Sequence, residues 1–295
     1  LHNGAQRVAT SDRDAGKVYI LSITGSAHPR LELLRTLPAP GGPEGLQYAQ
    51  GSRALLVACS KARRVLMFNP DTENPLASIE TVEGPRRLLS LEESSPGQVA
   101  VTGRDSVGLL DLEKKIQLGE TAPAKGRALN LQGLVFSRGN ILLSHQVQPT
   151  EVAVDPQMIV WGLILANRVT SIPVSTIPVR DYKKEEDGGA PAKKYIYGVG
   201  YQGGDPRHRI VPLDQRQRAN GDPGKPALVS RPGSAGDLLL LPSGGTNRLV
   251  FVDTDEAYLP GTEPLSRQEA LPSIKVGDRP VAVVCAADGR HAYVL

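Results

Sequence analysis

Residues 276–295 read Val-Gly-Asp-Arg-Pro-Val-Ala-Val-Val-Cys-Ala-Ala-Asp-Gly-Arg-His-Ala-Tyr-Val-Leu. A glycine-containing turn and Pro280 lead into an apolar run, and the turn Asp288-Gly289-Arg290 separates that run from a second one. An Asp-Gly pair between apolar runs favours a β-hairpin, because the tight turn needs a positive φ that glycine adopts without strain. Proline lacks an N–H and suits the first residue of a strand. The stretch therefore predicts two antiparallel strands entered through a proline.

Weaker copies of this unit recur upstream. The equivalent positions Ala58, Val101 and Ser144 are each 43 residues apart, and Gly42-Pro43 and Gly84-Pro85 also precede apolar runs. Propeller repeats of four short strands have periods of about 40 to 50 residues. The outermost strands of these units are predicted at Leu31–Leu37, Leu76–Val82, Ile116–Glu120 and Leu271–Val276. No segment has a sustained helical period. We predict an all-β chain, a β-propeller of four-stranded antiparallel blades, with about six of an expected seven present and the last truncated.

The stretch from Val276 to Leu295 resembles the YVTN family of bacterial β-propeller repeats. In that family a unit runs Gly-x-x-Pro, hydrophobic strand, Asp-Gly-Arg or Asp-Gly-Lys, then a small residue followed by Tyr-Val. The match covers these twenty residues closely and the rest of the chain more loosely.

A second stretch narrows the resemblance. Asp222-Pro223 leads through Leu228-Val229-Ser230 to Gly244-Gly245-Thr246-Asn247-Arg248-Leu249. It is similar to YVTN-type propellers that accompany c-type cytochromes, in which Asp-Pro-x-Gly is followed by Ser-Gly-Thr-His-Glu-Leu. Asn247 stands where that pattern has His, and Arg248 stands where it has Glu, so a role that depends on that His does not carry over.

The resemblance implies a secreted bacterial protein, periplasmic or extracellular, whose propeller is a non-catalytic binding or scaffold domain. The implied partners are a cytochrome c or another protein or anionic partner, and any haem would belong to sequence outside this segment. Two alternatives stay open: a propeller enzyme of the quinoprotein amine dehydrogenase or lactonase type, and a structural repeat protein of a surface layer. We favour a binding domain over an enzyme, because the functional residues of those enzymes have no matches here.

Composition excludes several other classes. The chain has 34 basic and 31 acidic residues, a net charge of +3, and only 4% aromatic residues. Nucleic-acid binding needs a strongly basic surface or aromatic side chains on which bases stack, and the chain is poor in both. No nucleic-acid partner is therefore expected. No apolar run approaches the roughly 18 residues of a membrane span. The two cysteines form no Cys-x-x-Cys pair, so no cofactor is expected to be held by this segment.

We expect a single domain over residues 1–295, interrupted by a polar insertion over 181–220 that is rich in glycine and mixed in charge. The chain begins at Leu1 without Met and ends inside an apolar run, so we expect a fragment of a longer propeller. Without a leader peptide to read, its compartment is inferred from the resemblance alone.

A basic rim is the first candidate site. In a four-stranded blade, the loop after the second strand and the loop that enters the first strand open on the same face. This placement predicts one rim of basic residues that would attract an anionic partner. Its members are Arg13, Lys61, Arg63, Arg64, Arg86, Arg87, Arg104, Arg248 and Arg279. The alternative is a set of solvated, scattered loop charges.

The fourth unit supplies the second candidate. It departs from the repeat, contains the only tryptophan, and places several polar residues near strand ends. We predict that these residues share a pocket: His145, Trp161, Asn167, Arg168, His208 and Asp222, with Asn247 in the next unit. A histidine there could act as an acid or base, although no histidine pair has metal-ligand spacing. The alternative is a strand-end histidine with a structural hydrogen bond.

Overall fold

The computed structural model describes residues 7–25, 28–49, 51, 53–92, 94–124, 127–148, 165–179, 207–214, 220–257, 269–286 and 288–295. The chain divides into two compact units, which we call unit 1 (Leu1–Glu120) and unit 2 (Thr121–Leu295). Among the described residues, the only helical element is one 3-10 turn, Val174–Thr176, and the regular structure is otherwise β-strand. No helix in these ranges is long and apolar enough to cross a bilayer.

Unit 1 contains three antiparallel sheets in chain order. The first sheet has three strands: β1 (Arg7–Asp12), β2 (Lys17–Thr24) and β3 (Arg30–Pro38). The second has β4 (Pro43–Ala49), β5 (Ala54–Cys59), β6 (Arg64–Phe68) and β7 (Pro75–Glu80). The third has β8 (Arg87–Ser90), β9 (Gln98–Thr102), β10 (Val107–Asp111) and β11 (Ile116–Thr121).

Unit 2 continues the pattern. Its first sheet has β12 (Arg127–Ser137), β13 (Asn140–Gln148), β14 (Ala166–Pro173) and β15 (Arg209–Pro212). Its second sheet has β16 (Ala227–Val229), β17 (Leu238–Ser243), β18 (Arg248–Asp253) and β19 (Ser273–Lys275). The described part ends with a two-stranded sheet, β20 (Val283–Cys285) and β21 (Ala292–Val294). The hairpin predicted from the Asp-Gly turn is therefore confirmed.

The sheets pack face to face through alternating side chains. All six residues of β5 are buried, because successive strand residues point to opposite faces and both faces are covered. Leu56 and Ala58 join one core cluster, which continues to Val101 in the third sheet. Leu55 and Val57 join the other cluster, with β2 and β6. In unit 2, the sheet of β12–β15 packs in the same way on the sheet of β16–β19.

Glycines let the first strands of neighbouring sheets approach closely. A Cβ added to Gly45 in β4 would overlap the carbonyl oxygen of Arg86, just before β8. In unit 2, a Cβ at Gly224 would overlap the carbonyl oxygen of Val281. The backbones bond there directly, since the Lys225 N–H donates to the Val281 carbonyl at 2.9 Å. Only a residue without Cβ fits such contacts.

Four entries into these first strands share one backbone device. A residue with positive φ stands directly before proline, at Gly42 (74°), Gly84 (61°), Asp222 (58°) and Arg279 (49°). The positive φ turns the chain, and the proline that follows needs no partner for an N–H group. Pro43 is the first residue of β4, whereas Pro85, Pro223 and Pro280 lie two to four residues before β8, β16 and β20. The prolines chosen from the sequence therefore mark the beginnings of equivalent strands.

The predicted repeat is confirmed in the strand order. Ala58, Val101 and Ser144 lie in β5, β9 and β13, each the second strand of its sheet. The prediction of all-β structure holds for the described residues. The larger part of the predicted insertion 181–220 and the segment around Trp161 lie outside the described residues. Cys59 and Cys285 are both free thiols.

Candidate functional site

Five chain reversals meet at one edge of the sheets of unit 1, which we call the basic edge. It comprises residues 13–16, 39–42, 60–63, 81–86 and 103–106. Antiparallel order alone brings these reversals together, because alternate turns lie at the same edge of a sheet. Backbone bonds then join them across sheets and strands: the Lys61 N–H donates to the Gly41 carbonyl at 2.8 Å, and the Arg104 N–H donates to the Glu83 carbonyl at 2.7 Å.

Glu44, the second residue of β4, forms the centre of this edge. Its carboxylate lies 3.2 Å from Arg13 Nε and 3.6 Å from Arg86 Nε. The Ser60 hydroxyl donates to the same carboxylate at 2.8 Å. The Glu44 side chain is 19% exposed, whereas the Arg13 and Arg86 side chains are 52% and 48% exposed. One largely buried carboxylate therefore forms ion pairs with two arginines from the neighbouring sheets.

The other predicted basic residues of unit 1 are also exposed at this edge. Arg104 forms an ion pair with Glu83 at 3.1 Å, and both side chains are about 60% exposed. Such an exposed pair contributes little to stability. Lys61 and Arg63 are exposed in the β5–β6 turn, while Arg64 and Arg87 are exposed first residues of β6 and β8. Every basic residue predicted for the rim within unit 1 therefore lies at one edge of its sheets.

His145 lies in the middle of the fourth sheet and is fully buried. Its Nε2 is 2.7 Å from the Thr170 hydroxyl, and its Nδ1 is 3.3 Å from the Gln146 carbonyl oxygen. A carbonyl can only accept, so Nδ1 carries the proton and Nε2 accepts from Thr170. Burial lowers the pKa of His145, the bond to the Gln146 carbonyl partly opposes this, and the Arg168 charge adds to the lowering; together they bring the pKa to about 4. His145 is thus a neutral, structural histidine at physiological pH.

Asn167 belongs to a polar network on the other face of the same sheet. The Gln146 amide donates to Asn167 Oδ1 at 3.0 Å, and Asn167 donates its backbone and side-chain N–H groups to Asp214 at 2.7 and 2.9 Å. The backbone N–H of Asn220 is the third donor to Asp214, at 2.8 Å. Burial raises the pKa of Asp214, although the bonds from Asn167 and Asn220 partly offset the effect. The network ties the ends of β13, β14 and β15 together.

The structure brings His145 and Arg168 of the predicted pocket together but places Asn167 on the opposite face of the sheet. His145 and Arg168 are cross-strand partners, as are Gln146 and Asn167, so His145 and Asn167 point to opposite faces of the sheet. His208 is buried and precedes β15, at the far end of the sheet from His145. Asp222 is exposed at the entry to the next sheet. Trp161 lies outside the described residues.

Asn247, which replaces the His of the cytochrome-associated pattern, joins two sheets of unit 2. It has a positive φ of 56°. Its Oδ1 accepts the Arg279 backbone N–H at 2.8 Å, and its Nδ2 donates to Asp278 at 3.2 Å. The Arg248 guanidinium donates to the Ser273 hydroxyl at 3.0 Å. Asn247 and Arg248 therefore have structural partners in unit 2, and Arg279 is held there by its backbone.

An acidic brace lies at the opposite edge of these sheets. Asp237 accepts from the Ser137 hydroxyl at 2.5 Å and from the Arg138 guanidinium at 3.1 Å. Burial by itself would raise the pKa of Asp237, but these bonds, the Arg231 N–H and the Arg138 charge hold it below its ordinary value. The brace joins the β12–β13 turn to the sheet of β16–β19.

Sequence reasoning missed the residues that organise both sites. Glu44 lies inside a predicted strand between Pro43 and Gly45, and Asp214 follows an apolar run without any motif. Only their partners from other strands distinguish them from ordinary surface carboxylates. Within the described ranges, no group of three His, Cys, Asp or Glu side chains could hold a metal ion.

The comparisons with known proteins agree on the fold. The sequence matches no protein-family model and no curated protein sequence. Hydrazine synthase of Kuenenia stuttgartiensis superposes with a TM-score of 0.70 at 16% identity, over 98% of this chain and 76% of that one. A streptogramin B lyase superposes with a TM-score of 0.57 at 11% identity, over 100% of this chain and 74% of that one.

A third structure, the dihydro-haem d1 dehydrogenase NirN in complex with DHE, superposes with a TM-score of 0.54. Its identity is 9%, over 98% of this chain and 50% of that one. These neighbours are β-propeller proteins. The chain has a β-propeller fold. At such identities the likeness extends to the fold and leaves function to be argued from the residues.

Proposed function

We propose that the chain is a binding domain whose basic edge docks an acidic surface of a partner protein. The observation that carries this proposal is that Arg13, Lys61, Arg63, Arg86 and Arg104 are all exposed at one edge of unit 1. The loops that hold them are bonded to one another, so the charges are held in a defined arrangement. A concentrated positive surface accelerates encounter with an acidic partner and selects against basic ones.

The resemblance to YVTN-type propellers supports a more specific partner class. We propose a secreted protein, periplasmic or extracellular, that docks a redox partner such as a cytochrome c with an acidic surface. Any haem would then be supplied by that partner or by sequence beyond this segment. The buried, hydrogen-bonded state of His145 supports docking over acid–base catalysis, since a general acid or base must reach its substrate.

The test compares two pairs of substitutions with the same change of charge. Lys61→Gln with Arg104→Gln removes two charges from the basic edge, while Arg30→Gln with Lys114→Gln removes two from the opposite edge. Each pair contains one exposed ion-paired residue, Arg104 with Glu83 or Lys114 with Asp111. The probe is a fluorescein-labelled peptide of ten glutamates, measured by fluorescence anisotropy at 20 and 150 mM salt.

We expect the wild type to bind the peptide at 20 mM salt and more weakly at 150 mM, because salt screens exposed charges. The substitutions at the basic edge should weaken binding about threefold to tenfold, and those at the opposite edge should leave it within about twofold. Equal losses in the two double variants, or no binding by the wild type at low salt, would contradict the proposal.

A further inference from the structure

The outermost strand of the first sheet, β3, has a long and apolar free edge. It has nine residues, whereas the outermost strands β7, β11, β15 and β19 have six, six, four and three. Within its sheet β3 pairs with β2 alone, so the backbone groups on its other side can pair with a further strand. Its leucines are exposed: Leu31 by 61%, Leu33 by 59% and Leu34 by 50%. An edge of this kind favours association with another strand.

A β-bulge in β3 decides which of its side chains share a face. The register between the two strands shifts between Ile20 and Leu21 of β2, and Leu34 is left without an opposite residue. Side chains alternate along a strand, so Glu32 and Arg35 would lie on opposite faces without this extra residue. With it, both lie on the face of Ile20, which packs on the second sheet.

The order of faces along residues 30–37 is therefore the same in both directions. Two copies of β3 related by a two-fold axis can pair in antiparallel fashion with matching faces at every position. In that register Glu32 lies opposite Arg35 of the second copy, and Leu33 lies opposite Leu34. The two-fold axis repeats both contacts, which gives two ion pairs around a central group of leucines. A shift by one residue would put Glu32 opposite Leu34 or Thr36 and lose both ion pairs.

The charged side chains of β3 suit this pairing. The Glu32 carboxylate is exposed and accepts a hydrogen bond from the Thr24 hydroxyl at 3.2 Å, on the face that it shares with Arg35. Among the described residues, no hydrogen-bond or ion-pair partner of the Arg35 guanidinium is found within its own chain. The two copies of Arg30 would lie at opposite ends of the paired strands, roughly 23 Å apart, where their repulsion is weak.

We propose that β3 is a dimerisation strand, at which a second copy of this chain adds to the first sheet and continues it across a two-fold axis. Glu32 and Arg35 determine the register, while Leu33 and Leu34 form the apolar centre of the contact. This surface is separate from the basic edge, and the inference does not depend on the proposed docking function.

Charge exchange between the two positions tests the proposal. Glu32→Arg places arginines opposite each other at both ends of the contact, whereas Glu32→Arg with Arg35→Glu exchanges the charges and keeps them complementary. Glu113→Arg is the matched control, because it makes the same change of charge at an exposed residue of the β10–β11 turn. Sedimentation equilibrium over a wide range of protein concentration measures dimerisation, and circular dichroism with the melting temperature checks that each variant folds.

We expect the wild type to dimerise and Glu32→Arg to weaken the dimer about tenfold, because the two-fold axis doubles the effect of each exposed pair. The exchanged double variant should recover to within about threefold of the wild type, and the control should stay within about twofold. A wild type that remains monomeric at every concentration would overturn the proposal. So would a dimer that Glu32→Arg leaves unchanged, or a double variant that dimerises no better than Glu32→Arg. Peptide binding at the basic edge is measured separately, so either proposal can fail while the other stands.

Discussion

At the scale of single residues, burial determines what a polar group can do. His145 and His28 have the same side chain, but His145 is fully buried with both ring nitrogens engaged, while His28 is exposed. The sequence placed His145 correctly at a strand and offered two interpretations, catalytic or structural. Its burial and its bond to Thr170, which comes from another strand, favour the structural one.

The depressed pKa of His145 predicts a pH-dependent loss of stability. The unfolded chain takes up the proton near pH 6.5, whereas the folded protein resists it until about pH 4. The unfolded state therefore binds more protons in this window, and the free energy of unfolding falls as the pH falls from about 6.5 towards 4, by at most about 3 kcal/mol. Urea unfolding of the wild type and of His145→Gln at pH 7, 6 and 5 measures this contribution.

The difference between the two proteins should change steadily with pH in favour of His145→Gln as the solution becomes more acidic. His28→Gln is the control and should follow the pH dependence of the wild type. Parallel curves for the wild type and His145→Gln would contradict the assignment of His145 as a buried neutral histidine.

At the scale of strands and sheets, the spacing between first strands depends on glycine. Gly45 is in the interior of β4, where glycine usually weakens a strand. Glycine is required at position 45 by packing between sheets, because the backbone of Arg86 from the next sheet occupies the place where a Cβ would be. The sequence marked Gly45 only as part of a Gly-Pro-Glu-Gly run.

Gly45→Ala should lower the free energy of unfolding by about 2–4 kcal/mol, since both the added methyl group and the carbonyl it meets belong to rigid backbone. Gly277→Ala is the matched control, because a Cβ there has nothing within 4 Å and it should change stability by less than about 0.5 kcal/mol. Chemical denaturation followed by circular dichroism measures both. Equal effects of the two substitutions would argue against close packing of β4 on β8.

At the scale of the whole molecule, each compact unit contains one thiol. Cys59 of unit 1 is fully buried, and Cys285 of unit 2 is partly exposed. Burial raises the pKa of Cys59 to about 11, with a small opposing effect of the Arg64 charge. The thiolate is the reactive form. In the folded protein Cys59 is therefore protected from reagents both by burial of its side chain and by the small fraction of thiolate that its raised pKa allows.

Iodoacetamide at pH 8 should therefore alkylate Cys285 in the native protein and leave Cys59 intact, while in 8 M urea both should react. Mass spectrometry of the tryptic peptides identifies each site, and Cys285→Ser should show no native labelling. Labelling of Cys59 at the rate of Cys285 under native conditions would show that the core of unit 1 is open.

The sequence by itself determined the repeat, the strands and the basic loops. Strands follow from apolar residues that alternate with a period of two, and turns follow from the backbone preferences of the Gly-Pro pairs and of Asp288-Gly289. Both signals lie in residues that are neighbours in the sequence. The same order places Arg13, Arg63 and Arg104 at one edge of unit 1 without knowledge of any contact, since turns alternate between the two edges of an antiparallel sheet.

The tertiary structure alone decided which polar residues act together. Glu44 meets Arg13 and Arg86 across three sheets, and Asp214 meets Asn167 across 47 residues of sequence. His145 and Asn167 were expected in one pocket but lie on opposite faces of their sheet, because adjacent strand residues point to opposite sides. Which polar residues meet over long distances in the sequence depends on how the sheets stack. That stacking is set by the burial of many apolar side chains along the whole chain, so the residues next to Glu44 or Asp214 in the sequence do not reveal their partners.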